Sequence, residues 1–527
     1  MVAFPINVSA VFEKDPNYDP STGAGSSMNR PQSVGLGAGV AVGITMHTNN
    51  AFIKNGTIEA SSISVTADSG SENDKLLAAA GSVAGCSQGD FGLAGAITVQ
   101  VNSFKTRAIV GDTATLTLFG GSFTVKASSY EEIETKADAN GPAKAGGSSA
   151  GVGAGIAVDV TGIDVAAIVA DGVNIIQKND APLTKIEITV AHSGNEMMEA
   201  KAGSSGGISI SPVVALMISG AYTEARLGSG AKLTAKGDVR VEAQSALVRE
   251  MAANASAAGG RVGVGGSFNI SILNDSAEAY VRRSLKSRNL TVNAVSRSTL
   301  KSTSRAGANG ASSGSTAAGS GTGTTTSGGS GDDADDGSSK GESDQQADHL
   351  IGGGSKLAGR TGSTNTSAAI TNRMNSGRQG AQTSEGSIQV AAAFNLNIMK
   401  NRAEASIADG LWVRAEDDGS GQHGAISVTA ANNTDATIRA NASATNSKIG
   451  VGVAVAINIA SYYNIATIGK TTVEASALTI SATMPADLKK TATTVASTGE
   501  AINSLDAYVT SGVQALLSQI LDAIGLD

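Results

Sequence analysis

The stretch IGVGVAVAIN, Ile449 to Asn458, separates into two sets when every second residue is read. Ile449, Val451, Val453, Val455 and Ile457 form one set; Gly450, Gly452, Ala454 and Ala456 form the other. Period-two alternation is the signature of a strand, whose successive side chains point to opposite faces. Glycine weakens a strand unless another backbone must come close. The alternation therefore implies two buried faces: a thick one of branched side chains and a thin one against a neighbouring sheet or segment. Strands buried on both faces are typical of parallel sheets and solenoid cores.

The stretch recurs. SVGLGAGVAVGITM starts at Ser33, DFGLAGAITVQV at Asp90, AGVGAGIAVDV at Ala150 and GISISPVVALMI at Gly207. RVGVGGSFNISI starts at Arg261, GSIQVAAAFNLNI at Gly386 and KIGVGVAVAINI at Lys448. Further blocks follow in fixed order. An Ala-x-aliphatic piece begins at Ala51, Ala108, Ala167, Ala225, Ala279, Ala405 and Ala466. An aliphatic-x-Val/Ile-x-Ala block begins at Ile63, Phe123, Val239, Leu290, Ile426 and Leu478, and the third copy reads ITVAH from Ile188, with His192 in the Ala place. An Ala-x-Ala stretch such as KADANG (Lys136) or RANASA (Arg439) leads into the next copy. The expected fold is all-β: an elongated parallel β-solenoid or β-helix of seven repeats of roughly 57 residues, with an array of antiparallel hairpins as the competing layout. Asn269, Ser271, Asn395 and Asn397 occupy the small-residue face late in their strands, and stacked copies of such positions can hydrogen-bond to one another.

Composition agrees with close packing of small residues. Glycine makes up 66 of 527 residues, and aromatics only 3%. A net charge of −8 gives no electrostatic reason to expect nucleic acid or an acidic membrane surface. A single cysteine, Cys86, excludes an internal disulfide framework and a cysteine zinc site. No window reaches the roughly 18 uninterrupted apolar residues of a membrane helix. The N-terminal MVAFPINVSAVFEKDPNYDP lacks a basic segment followed by a long apolar run and does not read as a Sec signal peptide. The expectation is either a protein not exported by that route or a chain that is a piece of a longer one.

These ordered blocks resemble the repeats of very large bacterial surface proteins, the leukotoxin-type filamentous adhesins and related giant exoproteins with β-helical repeats. The resemblance covers roughly residues 33 to 485. It implies secretion, an extracellular or cell-surface location, a filament and adhesion, and it brings no catalytic residues.

The chain divides accordingly. Residues 1–32 are expected to cap the stack or form an incomplete repeat, 33–308 to hold repeats one to five, and 386–485 repeats six and seven. Residues 309–385, rich in Gly, Ser, Thr and Asp, lack the apolar content to offset chain entropy and read as a disordered insertion. In 486–527 the period changes: Leu505, Val509, Val513, Leu516, Leu517, Ile520, Leu521 and Ile524 follow helical spacing and suit a terminal cap or linker helix.

Candidate chemistry is sparse. GGSGDDADDG from Gly328 superficially fits a calcium repeat, making Asp332, Asp333, Asp335 and Asp336 weak Ca²⁺ candidates, but Asp335 stands where an apolar residue belongs. His47, His192, His349 and His423 share no metal spacing. The pairs Glu131/Glu132 and Asp417/Asp418 read as solvated charge, and Cys86 as a small buried residue. No catalytic, cofactor or metal site is assigned. The leading expectation is a non-catalytic structural and adhesive segment whose partners are a host or neighbouring-cell receptor or glycan, with end-to-end self-association compatible with that role. A β-helix enzyme acting on polysaccharide would need a carboxylate cluster beside an aromatic-lined groove, and the chain has one Trp, Trp412. An ice- or surface-binding solenoid would need a Thr-x-Thr ladder, and the threonines are not in register.

Overall fold

A computed structural model describes residues 7–11, 34–69, 75–81, 91–139, 145–146, 149–310, 386–416, 423–445, 447–484 and 490–498. The described chain is almost entirely β-strand, and every strand-to-strand ladder is parallel. The architecture is that of a β-helix, and the hairpin array is not formed. Three ladders run along the stack.

The glycine-rich segments build the first ladder. Leu36 pairs with Leu93, Leu93 with Val152, Val152 with Ile210, Ile210 with Val264, Val264 with Val390, and Val390 with Val451. Each sequence repeat thus makes one turn of the coil. The Ala-x-aliphatic pieces continue the same ladder, with Ala51, Ala108, Ala167, Ala225, Ala279, Ala405 and Ala466 in register.

The aliphatic-x-Val-x-Ala blocks build the second ladder, where Val65, Val125, Ile188, Val241, Val292, Val428 and Ile480 align. This register corrects the third copy. Ile186 stands opposite Phe123 and Val190 opposite Ala127, so Val190 takes the Ala place and His192 falls two positions later, opposite Ser129. ITVAH and ISVTA look alike from Ile188, but the strand Lys185–Leu227 begins one alternation earlier. A short third ladder joins the other two through pairings such as Leu116 with Ile175 and Leu285 with Val413. Between Gln177 and Thr234 a side chain replaces the backbone pairing: Thr234 N donates to Gln177 Oε1 at 2.8 Å and Gln177 Nε2 donates to Thr234 O at 2.6 Å.

Where all three ladders meet, branched side chains fill the space between them. Val110, Leu116, Phe123, Val125, Val169, Leu227, Val281 and Leu285 belong to one buried cluster. Farther along the strands only the first and second ladders face each other, and the filling is dominated by Ala, Gly and Ser, with Val213, Met198, Met217 and Met251 among them. Ala96, Ala157 and Ala215 of the first ladder pack with Ala137, Ala200 and Ala253 of the second.

The thin glycine face does lie against a neighbouring sheet, but the expected second buried face is not formed. The small set faces the interior, where the two sheets come so close at many positions that only a small residue fits, although Val213 is fully buried in the same column as Gly155. A Cβ on Gly155 would sit 2.4 Å from the Lys201 carbonyl oxygen, and one on Gly265 2.5 Å from that of Gly307. The aliphatic set is not a second buried face. It points out of the coil: Met46 is 83% exposed, and Leu36 and Ile44 are each 68% exposed.

The strand Leu290–Gly310 ends and Gly386–Ile407 begins with the ladder in register on both sides, Asn309 opposite Thr445 and Ile388 opposite Val262. The insertion between them, with the Ca²⁺ candidates Asp332, Asp333, Asp335 and Asp336 and with His349, lies outside the described residues, as do Cys86, Asp417, Asp418 and the helical pattern of 505–524. The ladder reaches past residue 485, since Lys490–Thr498 pairs in parallel with the strand Ala425–Thr445. At the other end Asn7–Val11 pairs with Lys75–Gly81.

Candidate interaction surface

The outward face of the first ladder is built by register. Because every turn presents the same alternation, its outward residues stack into columns. Phe91, Ala150, Ile208, Val262, Ile388 and Ile449 form one; Val40, Ile97, Ile156, Val214, Phe268, Phe394 and Val455 another. Val42, Val99, Val158, Leu216, Ile270 and Ile457 stack beside them, with Leu396 in the same column but only 5% exposed, followed by Ile44, Val101, Val160, Ile218, Ile272, Ile398 and Ile459. No charged side chain interrupts these columns. Phe268 and Phe394 touch across neighbouring turns, ring centroids 6.3 Å apart. With strands about 4.8 Å apart and about 3.3 Å per residue, the apolar field measures roughly 30 Å each way, near 1,000 Å². Contiguous exposed apolar patches beyond a few hundred Å² mark contact surfaces.

The outward face of the second ladder shows that this is not a general property of the coil. Its stacked outward residues are polar: Lys126 pairs with Glu187 at 3.3 Å, and Thr429 Oγ1 donates to Asn293 Oδ1 at 2.8 Å. Two sheets of one coil therefore meet their surroundings with opposite chemistry.

A polar rim bounds the apolar field where the first ladder continues toward the three-sided core. Arg107 Nε donates to Asp164 Oδ1 at 3.2 Å, and this carboxylate holds the guanidinium above its ordinary value. Tyr280 Oη donates to Glu278 Oε2 at 2.9 Å and Tyr222 Oη to the same oxygen at 3.3 Å. Burial, then the neighbouring carboxylates, push both phenols up. Arg402 reaches Glu404 and Glu278. On the opposite rim Arg261 and Lys448 are exposed.

Inside the coil, polar side chains line a row between the small-residue and branched regions. The expected stacking occurs: Ser271 Oγ donates to Asn397 Oδ1 at 2.8 Å, and Asn397 Nδ2 donates to Asn458 Oδ1 at 2.8 Å. Asn269 and Asn395 are linked through Ser302, at 3.2 and 2.8 Å. Arg249 is fully buried and clasped by Asp275 at 2.7 Å and Glu196 at 3.0 Å, with Ser219 and Ser298 accepting further bonds. Burial pulls against its charge, yet the two carboxylates outweigh it and hold the guanidinium above its ordinary value. Asp159 is buried nearby and accepts from Thr161 Oγ1 at 2.6 Å and Thr135 Oγ1 at 3.0 Å. Burial, with the Glu196 charge second, raises its carboxyl to about 7.

The other singled-out residues serve the scaffold. His192 is buried, its Nε2 2.8 Å from Glu131 Oε2 and its Nδ1 3.3 Å from Ser245 Oγ. Glu131 is therefore an interior partner rather than solvated charge. His47 bonds Ser69 Oγ at 3.0 Å and meets Phe104 edge-on. His423 Nδ1 lies 3.3 Å from the Ala415 carbonyl oxygen. Trp412 is spoken for on both sides, with Lys232 Nζ 4.0 Å over its ring and its Nε1 donating to Glu474 Oε1 at 3.0 Å. Among the described residues no group of three or more His, Cys, Asp and Glu is placed to hold a metal ion, and no helix is long and apolar enough to cross a membrane. Composition and motif reading missed the apolar field, although its signal was present: the aliphatic set recurs in register in every copy.

No protein-family model, curated protein or solved structure matches this chain.

Proposed function

We propose that this chain is a non-catalytic structural and adhesive segment of a bacterial cell-surface or extracellular filamentous protein, similar to the leukotoxin-type filamentous adhesins. The observation that carries this reading is the unbroken parallel register from Leu36 to Val451, in which each turn contacts mainly its neighbours. Such a stack lengthens by adding turns without altering those already present. In this reading seven turns of roughly 57 residues form the segment, the helical pattern of 505–524 within 486–527 serves as its cap or linker, and further turns of a longer protein extend the filament. Loops at the turn corners make the contacts with a host or neighbouring-cell receptor or glycan.

The test is location and adhesion. Antibodies raised against the chain should label intact producing cells, and beads coated with it should adhere to target cells more than beads coated with a turn-deleted control. Labelling only after permeabilisation, or release of reducing sugar ends from a polysaccharide by the purified chain, would replace this reading with an intracellular or enzymatic one.

A second reading, end-to-end self-association, is favoured by one specific feature. Among the described residues, Ser447–Ile468 pairs with Gly386–Ile407 on one side and with no first-ladder strand on the other. An open strand edge is a template for another chain.

A further inference from the structure

We infer that the outward apolar face of the first ladder is the interface of a face-to-face dimer with a second copy of this chain. The inference is independent of the adhesive reading and concerns a different surface from the end-to-end edge.

The commitment to a second copy rests on area, chemistry and geometry. Each face offers roughly 1,000 Å², so pairing two buries about 2,000 Å² in total, the range of stable homodimers. A single helix of some twenty residues, about 10 Å wide and 30 Å long, would cover only about a third of the field, so the chain's own 505–524 pattern is too small an occupant. The face carries no charge in its central columns, so pairing two copies brings no like charges together within the contact. An apolar centre with a polar rim, here Arg107, Asp164, Tyr222, Glu278 and Arg402 on one side, matches interface anatomy.

The geometry is self-complementary. Two sheets pack face to face about 10 Å apart when their aliphatic side chains interdigitate. The columns here repeat with the strand spacing in one direction and with alternate residues in the other. A two-fold axis normal to the strands places ridges of one copy over furrows of the other. Val158, Leu216, Phe268 and Ile270 lie near the centre of the field and would be the residues most fully covered.

Sedimentation velocity on the full chain, over a concentration series, tests this. The wild-type chain is expected to sediment as a dimer at micromolar concentration. Phe268→Lys and Leu216→Lys should each raise the dissociation constant by about 30-fold or more, while Phe268→Leu keeps the dimer. Because these side chains point out of the coil, circular dichroism and the melting temperature of the isolated variants should show the fold retained. Arg240→Glu, on the outward face of the second ladder, should leave the dimer unchanged. A wild-type chain that stays monomeric across the series overturns the inference. So does a wild-type monomer that dimerises only after truncation at Thr498, which assigns the face to the chain's own C-terminal segment. A monomer that floats with phosphatidylcholine vesicles, and loses this on Phe268→Lys, assigns it to a lipid surface and likewise overturns the dimer. A dimer insensitive to both lysine variants places the interface elsewhere.

Discussion

Gly155 and Lys201 face each other across the interior so closely that a Cβ on the glycine would lie 2.4 Å from the lysine carbonyl oxygen. Lys201 belongs to a second-ladder strand and Gly155 to the first ladder, so this contact sets how near two whole sheets can come. Gly155→Ala should therefore destabilise by about 1–3 kcal/mol through overpacking. Arg240→Ala, on the exposed outer face of the second ladder and away from the apolar field, should cost less than about 1 kcal/mol. Urea unfolding of both variants compares them. Equal costs would mean that the sheets separate without penalty.

Arg249 is held by Glu196 and Asp275 with no access to water. Arg249→Met leaves two carboxylates buried without their cation and should cost about 3–5 kcal/mol. Adding Glu196→Gln and Asp275→Asn removes the stranded charges and should restore most of the loss. A triple variant as unstable as the single one would show that shape, rather than charge, is what Arg249 supplies.

Asp159 titrates in the folded chain near 7, against an ordinary value of 3.8. Its folded-state value is raised, so the native state binds the proton more tightly than the unfolded chain. The stability this contributes is full below the unfolded value, falls as pH rises between the two, and is gone above about 7. The span amounts to at most about 4 kcal/mol. Melting temperature should fall between pH 4 and pH 7, and Asp159→Asn should flatten that slope. An unchanged slope in the variant would assign the pH dependence to other groups.

Asn397 links two neighbouring turns, accepting from Ser271 and donating to Asn458. Asn397→Leu removes the partner of the buried Ser271 and of the half-buried Asn458 and should cost about 1–3 kcal/mol. Hydrogen exchange should locate the loosening in strands Val239–Val281 and Ser447–Ile468, on either side of the substitution. Protection lost uniformly along the stack would mean that the coil opens as one unit.

Much of the fold is legible in the chain. Ordered blocks with alternating residues announce strands stacked by repetition, and the alanines from Ala51 to Ala466 do align in one column. His192 shows how the same evidence misleads: in ITVAH the apparent motif is shifted by two, and a shift of two preserves the alternation that would have exposed the error. Glu131 reads as solvated beside Glu132, yet its partner, His192, lies 61 residues away and is brought to it only by the register of the coil.

The sequence by itself determined that the strands have two unlike faces, one aliphatic and one small, repeated in register along the chain. It did not determine which face turns inward, because a period of two separates residues into sets without assigning either a side. Hydrophobicity alone would bury Ile449, Val451 and Val455. Only the tertiary structure decided otherwise: the second sheet, with Ala137, Ala200 and Ala253, approaches so closely that mostly glycine, alanine and other small side chains fit between the sheets. Close packing of two small-residue faces, with their backbones paired along every turn, leaves the aliphatic side chains on the outside.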